Sequence, residues 1–297
     1  MMKWAIIGAL ACLGGCTALP EPTPTPTPND DRNAAVLFEI GRVLPGEYST
    51  ADALREDEAG GDLLRLGIRL EPGMEPGERL FSLVQRQGDG PERFFRLGIE
   101  SSPGSRGLSG FFAPSDRSGR MGRSCALDIS LRSDGFTALT DPTECRFGDD
   151  SGLLKEIAFD GRRLVIGDRL VSLTDGQALA PDQVHTFFPI DGYTGWAGKR
   201  QEASWLRAEP FSIHSGGDAL NLVDAGGMPL GVSIQLTLYR VAGQARPLLR
   251  LRAFDSESGR IKAESWADPG ARRLGLALPD LQIGLERAPQ APPSQSP

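Results

Sequence analysis

Two cysteines, Cys125 and Cys145, bracket the stretch SCALDISLRSDGFTALTDPTEC over residues 124–145. A thiol pair offers three chemistries: a covalent clamp, half of a metal site, or redox exchange. A zinc site needs further ligands, and the chain can add imidazole nitrogen only from His185 and His214. A second cluster, Ser212, His214, Ser215 and Asp218 in SIHSGGD, holds the residue types of nucleophilic catalysis. Triad members are assembled by the fold and not by adjacency, and no G-x-S-x-G elbow is present, so this stretch reads as a hydrogen-bonded turn. The acidic REDEAGGD stretch and the pair Asp149 with Asp150 lack the spacing of a calcium loop and read as solvated loops. No glycine-rich phosphate loop follows a strand. These residues predict no catalytic group, no metal and no cofactor.

Which thiol chemistry applies depends on compartment. The N-terminus, MMKWAIIGALACLGGC, carries one lysine, an apolar run and small residues before Cys16, the pattern of a secretion signal too short to span a bilayer. Its ending, Leu13-Gly14-Gly15-Cys16, resembles a bacterial lipobox, in which the cysteine is lipidated and becomes the first mature residue. The following TALPEPTPTPTPNDD is a proline-rich extended spacer of about 3 Å per residue. Thr17 follows Cys16 in place of an aspartate that would retain the protein at the inner membrane, so the expected location is the periplasmic side of the outer membrane, with Cys16 as lipid anchor. Cys12 leaves with the signal and Cys16 carries lipid. Cys125 and Cys145 are then two thiols in an oxidising compartment, and a disulfide is the expected outcome.

The chain of 297 residues has a formal net charge of -7 and 39% hydrophobic residues, enough apolar material for one large or two modest cores. Its basic residues are scattered instead of lining one helix, so nucleic acid is not an expected partner. Lysine stands at only four positions, Lys3, Lys155, Lys199 and Lys262. The rest of the positive charge is arginine, whose planar fork suits carboxylates.

Residues 33–44 predict a helix, with Val36, Leu37, Ile40, Val43 and Leu44 on one face behind Asp30 and Asp31, ended by Pro45-Gly46. A second short helix is expected to start at Ser49 or Thr50 and run through ADALRED. Beyond it, LLRLGIRL, RLFSLVQRQ, ERFFRLGIES, GLSGFFA, the cysteine hairpin, LLKEIAFD and RRLVIGDRLVSL read as successive strands bounded by Gly, Pro, Asp or Ser. That succession predicts an all-β antiparallel barrel or sandwich. In the hairpin, a turn around Gly135 would set Leu131 opposite Leu139 and Cys125 opposite Cys145, with Pro142 demanding an edge or a bulge. After Trp196 the chain continues as further strands, and ERFFRLGIESSPGSRG is faintly like RPLLRLRAFDSESGRI, hinting at a second unit of similar hairpin type.

From about residue 38 to residue 196, LPGEYST, LFSLVQRQGDGPERFFRLGIE, the cysteine hairpin and RLVIGDRLVSLTDGQ resemble, in order and spacing, the CpcT/CpeT family of phycobilin chromophore lyases and their bacterial relatives. The resemblance implies an antiparallel, lipocalin-like barrel with a hollow calyx. It points to Gln85, Arg96, Asp168-Arg169 followed by Asp175-Gly176-Gln177, and again to Cys125 and Cys145, with Gln85, Arg96 and Arg169 as ligand-binding residues. The chain departs from the family pattern with Val84 before the glutamine, Phe95 before the arginine, and Ala178-Leu179 after Gln177, where Trp-Gly often stands.

The expected organisation is a signal with lipobox at 1–16, a proline-rich linker at 17–32, a CpcT/CpeT-like barrel at 33–200, a β-rich extension at 201–287 and a tail at 288–297. The expected function is a lipid-anchored periplasmic calyx protein. It would bind a small amphipathic ligand, tetrapyrrole or lipid-like, with Phe81, Phe94, Phe95, Phe111 and Phe112 as wall. The alternatives are a lyase attaching a bilin to a phycobiliprotein cysteine, and an envelope interaction protein with a filled core.

Overall fold

The computed structural model describes residues 28–50, 63–75, 77–101, 107–133, 135–239 and 247–288. The signal, Cys16, residues 17–27 of the linker, the ADALRED stretch and the tail from residue 289 lie outside the described residues.

The chain opens with α1 (Pro28–Val43). The helix begins before residue 33, since proline is tolerated in a first turn, where its missing N–H costs nothing. Leu37, Ile40 and Leu44 recur at helical spacing and are buried. They join one core with residues of the strands that follow. Asn33, also buried, donates to the carbonyl of Gly107.

Ten strands come next: β1 (Gly46–Thr50), β2 (Leu64–Leu70), β3 (Glu78–Gln87), β4 (Arg93–Glu100), β5 (Leu108–Ser115), β6 (Cys125–Leu131), β7 (Phe136–Leu139), β8 (Ser151–Phe159), β9 (Leu164–Ser172) and β10 (Gln183–Pro189). From β2 to β10 each pairs antiparallel with its sequence neighbour, and β1 closes the ring between β2 and β10. The result is a closed ten-stranded antiparallel barrel with a short N-terminal helix, the all-β class that the strand pattern predicts. Closure leaves no unpaired edge. Ser49 and Thr50 are strand residues and not a helix start, since pairing on both sides of β1 outweighs their capping preference.

The cysteine hairpin turns earlier than expected. Leu131 pairs with Phe136 and Asp128 with Leu139, so Leu131 does not face Leu139. The Arg132 amide donates to the Gly135 carbonyl at 2.9 Å. A side chain at Gly135 would collide with the Phe159 carbonyl, which fixes glycine there and starts the strand at the next residue. Cys125 faces Phe112 in register, not Cys145. The Cys125–Cys145 disulfide nonetheless forms, with Cα atoms 5.0 Å apart. The chain leaves β7 at Leu139 and folds a turn in which the Cys145 amide donates to the Asp141 carbonyl at 2.9 Å. Pro142 lies in that turn and therefore breaks no ladder.

The barrel ends at Pro189, before the expected boundary at residue 200. β11 (Gly192–Gln201) belongs to the next unit with β12 (Ser204–Arg207), β13 (Phe211–His214), β14 (Gly216–Val223), β15 (Pro229–Tyr239), β16 (Leu248–Asp255), β17 (Ile261–Ala267), β18 (Arg273–Ala277) and β19 (Leu281–Arg287). One sheet runs β12-β11-β19-β18 with β13 also on β11, the other β14-β15-β16-β17. They share a core that includes Tyr193, Leu222, Ile234, Leu251 and Ile283, a two-sheet sandwich. The two faintly similar segments thus fall in different architectures, one in barrel strand β4 and one in sandwich strand β16.

The two units are tied at several points. The Ile190 amide donates to the Glu47 carbonyl at 2.7 Å. Arg65 of β2 donates to the Gly216 carbonyl at 3.1 Å and forms an ion pair with Asp218 of β14. Among the described residues, no helix is long and apolar enough to cross a membrane.

Candidate functional site

Side chains alternate along a strand, so the phase of each apolar run tells which residues look into the barrel. On β8, Ile157 and Phe159 belong to the core, which puts Lys155 in the same inward row. On β9, Leu164 and Ile166 belong to the core, which puts Asp168 inward as well. Lys155 and Asp168 are direct cross-strand partners and form an ion pair. The lysine side chain is 6% exposed and the aspartate 40% exposed, so the pair runs from the interior out to the barrel mouth.

The surroundings hold the lysine in place. Thr140 accepts from the Lys155 amide at 2.8 Å and donates to the Leu153 carbonyl at 2.6 Å, fixing β8 where β7 has ended. The Lys155 ammonium lies 4.3 Å from the centroid of the Phe112 ring, whose negative face attracts a cation. Phe112 stacks on Phe95 at 5.2 Å. Cys125 stands opposite Phe112, and the Leu153 amide donates to the Cys145 carbonyl at 2.8 Å, so the disulfide staples this rim. His185 of β10 shares the inward phase of Phe187 and pairs with Ile166, one inward position along β9 from Asp168.

Gln85 shares the inward phase of Phe81 and Leu83 and is half-buried near the same end. Arg96 and Arg169 are placed differently. Arg96 alternates with Phe95 and Leu97 and so stands on the outer face, where it pairs with Glu71 at 2.5 Å. Hydrogen bonds from Ser82 and then Arg96 hold the Glu71 carboxyl below its ordinary value. Arg169 alternates with Asp168 and points outward in a fork to Asp182, at 2.9 and 2.6 Å. Neither of these arginines is turned into the barrel: each satisfies a carboxylate on its outside. Phe81, Phe95 and Phe112 are inward, while Phe94 and Phe111 take the opposite phase.

The resemblance already points to Asp168; the signal that would have found its partner Lys155 is the alternation itself. In LLKEIAFD the lysine is in step with Ile157 and Phe159, a charge in an apolar row.

SIHSGGD is a turn. His214 Nδ1 accepts from the Gly216 amide at 3.2 Å, and Nε2 lies 3.1 Å from Asp218. Ser215 accepts from the Asp191 amide at 2.9 Å. Both imidazole nitrogens are engaged, which leaves no base for a serine. Among the described residues, no group of three or more His, Cys, Asp or Glu side chains could hold a metal ion.

A closed antiparallel barrel with a charged pair at its mouth defines a calyx-type barrel, here carrying a β-sandwich. No family model matches the chain. No curated protein matches it. Among solved structures, the CRL protein of Arabidopsis is similar over 55% of this chain and 100% of its own, with 13% identity and a TM-score of 0.37.

Proposed function

We propose that this protein is a lipid-anchored binding protein, held by Cys16 on the periplasmic side of the outer membrane, whose barrel mouth takes a small amphipathic ligand. The observation that carries the reading is the Lys155–Asp168 pair, a nearly buried ammonium that reaches the mouth only through its partner carboxylate. A buried charge is costly unless paired, so an anionic group arriving at the mouth can exchange for Asp168 without leaving the lysine bare. Phe95 and Phe112 supply the adjoining apolar surface. The interior below is occupied by packed side chains, including Leu37 and Ile40 of α1 and Leu44 just after it, so the ligand sits at the rim, its acidic end inward.

The test is native mass spectrometry of the protein with fatty acids, haem-derived tetrapyrroles and bilins. Replacing Lys155 with Met should weaken binding by about 1–3 kcal/mol, the range for loss of a charged hydrogen-bond partner. Arg96→Ala, on the outer face, should leave it unchanged. If no ligand in this series binds, the packed interior makes a ligand-free envelope interaction protein the better reading. Transfer of a bilin to a phycobiliprotein cysteine would instead establish the lyase.

A further inference from the structure

The sandwich carries an aromatic surface that the barrel mouth does not use. Along β11, alternation places Thr194, Trp196, Gly198 and Arg200 on the outer face of their sheet, opposite the buried Tyr193 and Ala197. The register sets Trp196 beside Gly284 of β19, and Gly284 beside Gly275 of β18. A side chain at Gly284 would occupy the same space as the Trp196 indole, so the ring lies flat across a backbone that glycine has cleared. Trp196 is nevertheless 57% exposed, with its other face open to solvent. Trp205 of β12 is on the same face, 43% exposed, and packs over Gly198. Two open indoles thus stand on one face of the sheet, on the paired strands β11 and β12, and Trp196 borders a cleft of about 670 Å³ that Arg273 and Glu286 help to line.

The charge around them is unlike that of the whole chain. The strand positions of this face hold Arg200, Arg207 and Arg273 against Glu286 alone, although the chain carries a net charge of -7. Arg273 reaches Glu286 at 3.4 Å, and both side chains are largely exposed. An exposed pair of this kind is weak and can be exchanged for a ligand's groups.

We infer that this face binds an acidic glycan, with pyranose rings laid on the indoles of Trp196 and Trp205 and carboxylates taken by the surrounding arginines. The electron-rich face of an indole suits the slightly positive C–H face of a sugar ring, while a tryptophan already lying flat loses little freedom on binding. Arginine forks match carboxylates in two parallel hydrogen bonds, and Glu286 and Thr194 offer acceptors to hydroxyls. A bare apolar partner would leave these charges desolvated.

The experiment is isothermal titration of the full-length protein, in detergent, with a linear hexuronic-acid tetrasaccharide and a neutral hexose tetrasaccharide, tryptophan fluorescence being followed in parallel. The acidic sugar should bind saturably, change the tryptophan emission and weaken with added salt. Trp196→Ala should weaken it at least tenfold with no change in thermal unfolding, since the ring is exposed. Arg273→Ala should reduce the preference for the acidic over the neutral sugar. Absence of binding by the acidic tetrasaccharide, equal binding of the neutral one, or an unchanged affinity in Trp196→Ala each overturns the inference. Lys155→Met at the barrel mouth should have no effect, which separates this site from the proposed calyx ligand.

Discussion

The Tyr48 hydroxyl donates to the Leu44 carbonyl at 2.8 Å, joining the first barrel strand to the end of the helix that fills its core. The carbonyl is one of those a helix end leaves without an intrahelical partner. Tyr48→Phe should therefore cost about 1 kcal/mol in urea unfolding. Burial also pushes the phenol up to about 12. In the unfolded chain it would ionise near 10, so the folded state holds the extra proton between those values. Stability from this group is complete below about pH 10 and lost as pH rises through about 12, by about 2–3 kcal/mol in all. Wild type should lose stability across that alkaline window more steeply than Tyr48→Phe, and parallel curves would refute the assignment.

The Lys155–Asp168 pair is asymmetric, and its two deletions should differ. Asp168→Ala strands an ammonium that is 6% exposed, at a cost of about 3 kcal/mol or more. Lys155→Met leaves a carboxylate that water already reaches and fills the lysine's space with apolar atoms, so its cost should stay within about 1 kcal/mol. Denaturant midpoints of both variants decide this, and equal losses would mean that the lysine is hydrated.

Reduction of Cys125–Cys145 should lower stability by about 3 kcal/mol in the chain-entropy picture, since the bridge closes a loop of moderate length. The double substitution to serine should reproduce that loss. Intact-mass analysis with alkylation of the denatured protein should find these two thiols protected.

Cys16→Ser should move the protein from the membrane fraction to the soluble periplasm, because acyl chains at one cysteine give the firm attachment that a single chain does not. A wild-type protein already soluble there would remove the anchor from the proposal.

Strand alternation was legible because each face of a barrel strand meets a different environment, and so the succession from LLRLGIRL to RRLVIGDRLVSL reads correctly from residues alone. Register was less so. The hairpin could slide because Leu131 and Leu139 are both apolar, and the observed register instead sets Leu131 opposite Phe136 and leaves Leu139 opposite Asp128. The site was read from arginines, whose value for carboxylates is real but whose phase along β4 and β9 points them outward to Glu71 and Asp182. Lys155 was passed over although it sits in step with Ile157. The end of the barrel was hidden for a different cause: β10 and β11 are joined by two residues, and nothing in their composition announces that the chain changes sheets.

Closure by β1 sets an order of events. From β2 to β10 the ring is built of neighbours, each hairpin closing a short loop, but Tyr48 must find Pro189 at the far end of the unit. Contacts so distant in sequence are paid for in loop entropy before they are rewarded, so this seam forms late in folding and opens early in unfolding. A chain crossing a membrane with its N-terminus tethered would carry β1 and the helix ahead of everything they must join. Hydrogen exchange under native conditions should find the amides shared by β1 and β10 among the first of the barrel to exchange. A protein anchored at one end would thus have its last-made seam nearest the anchor.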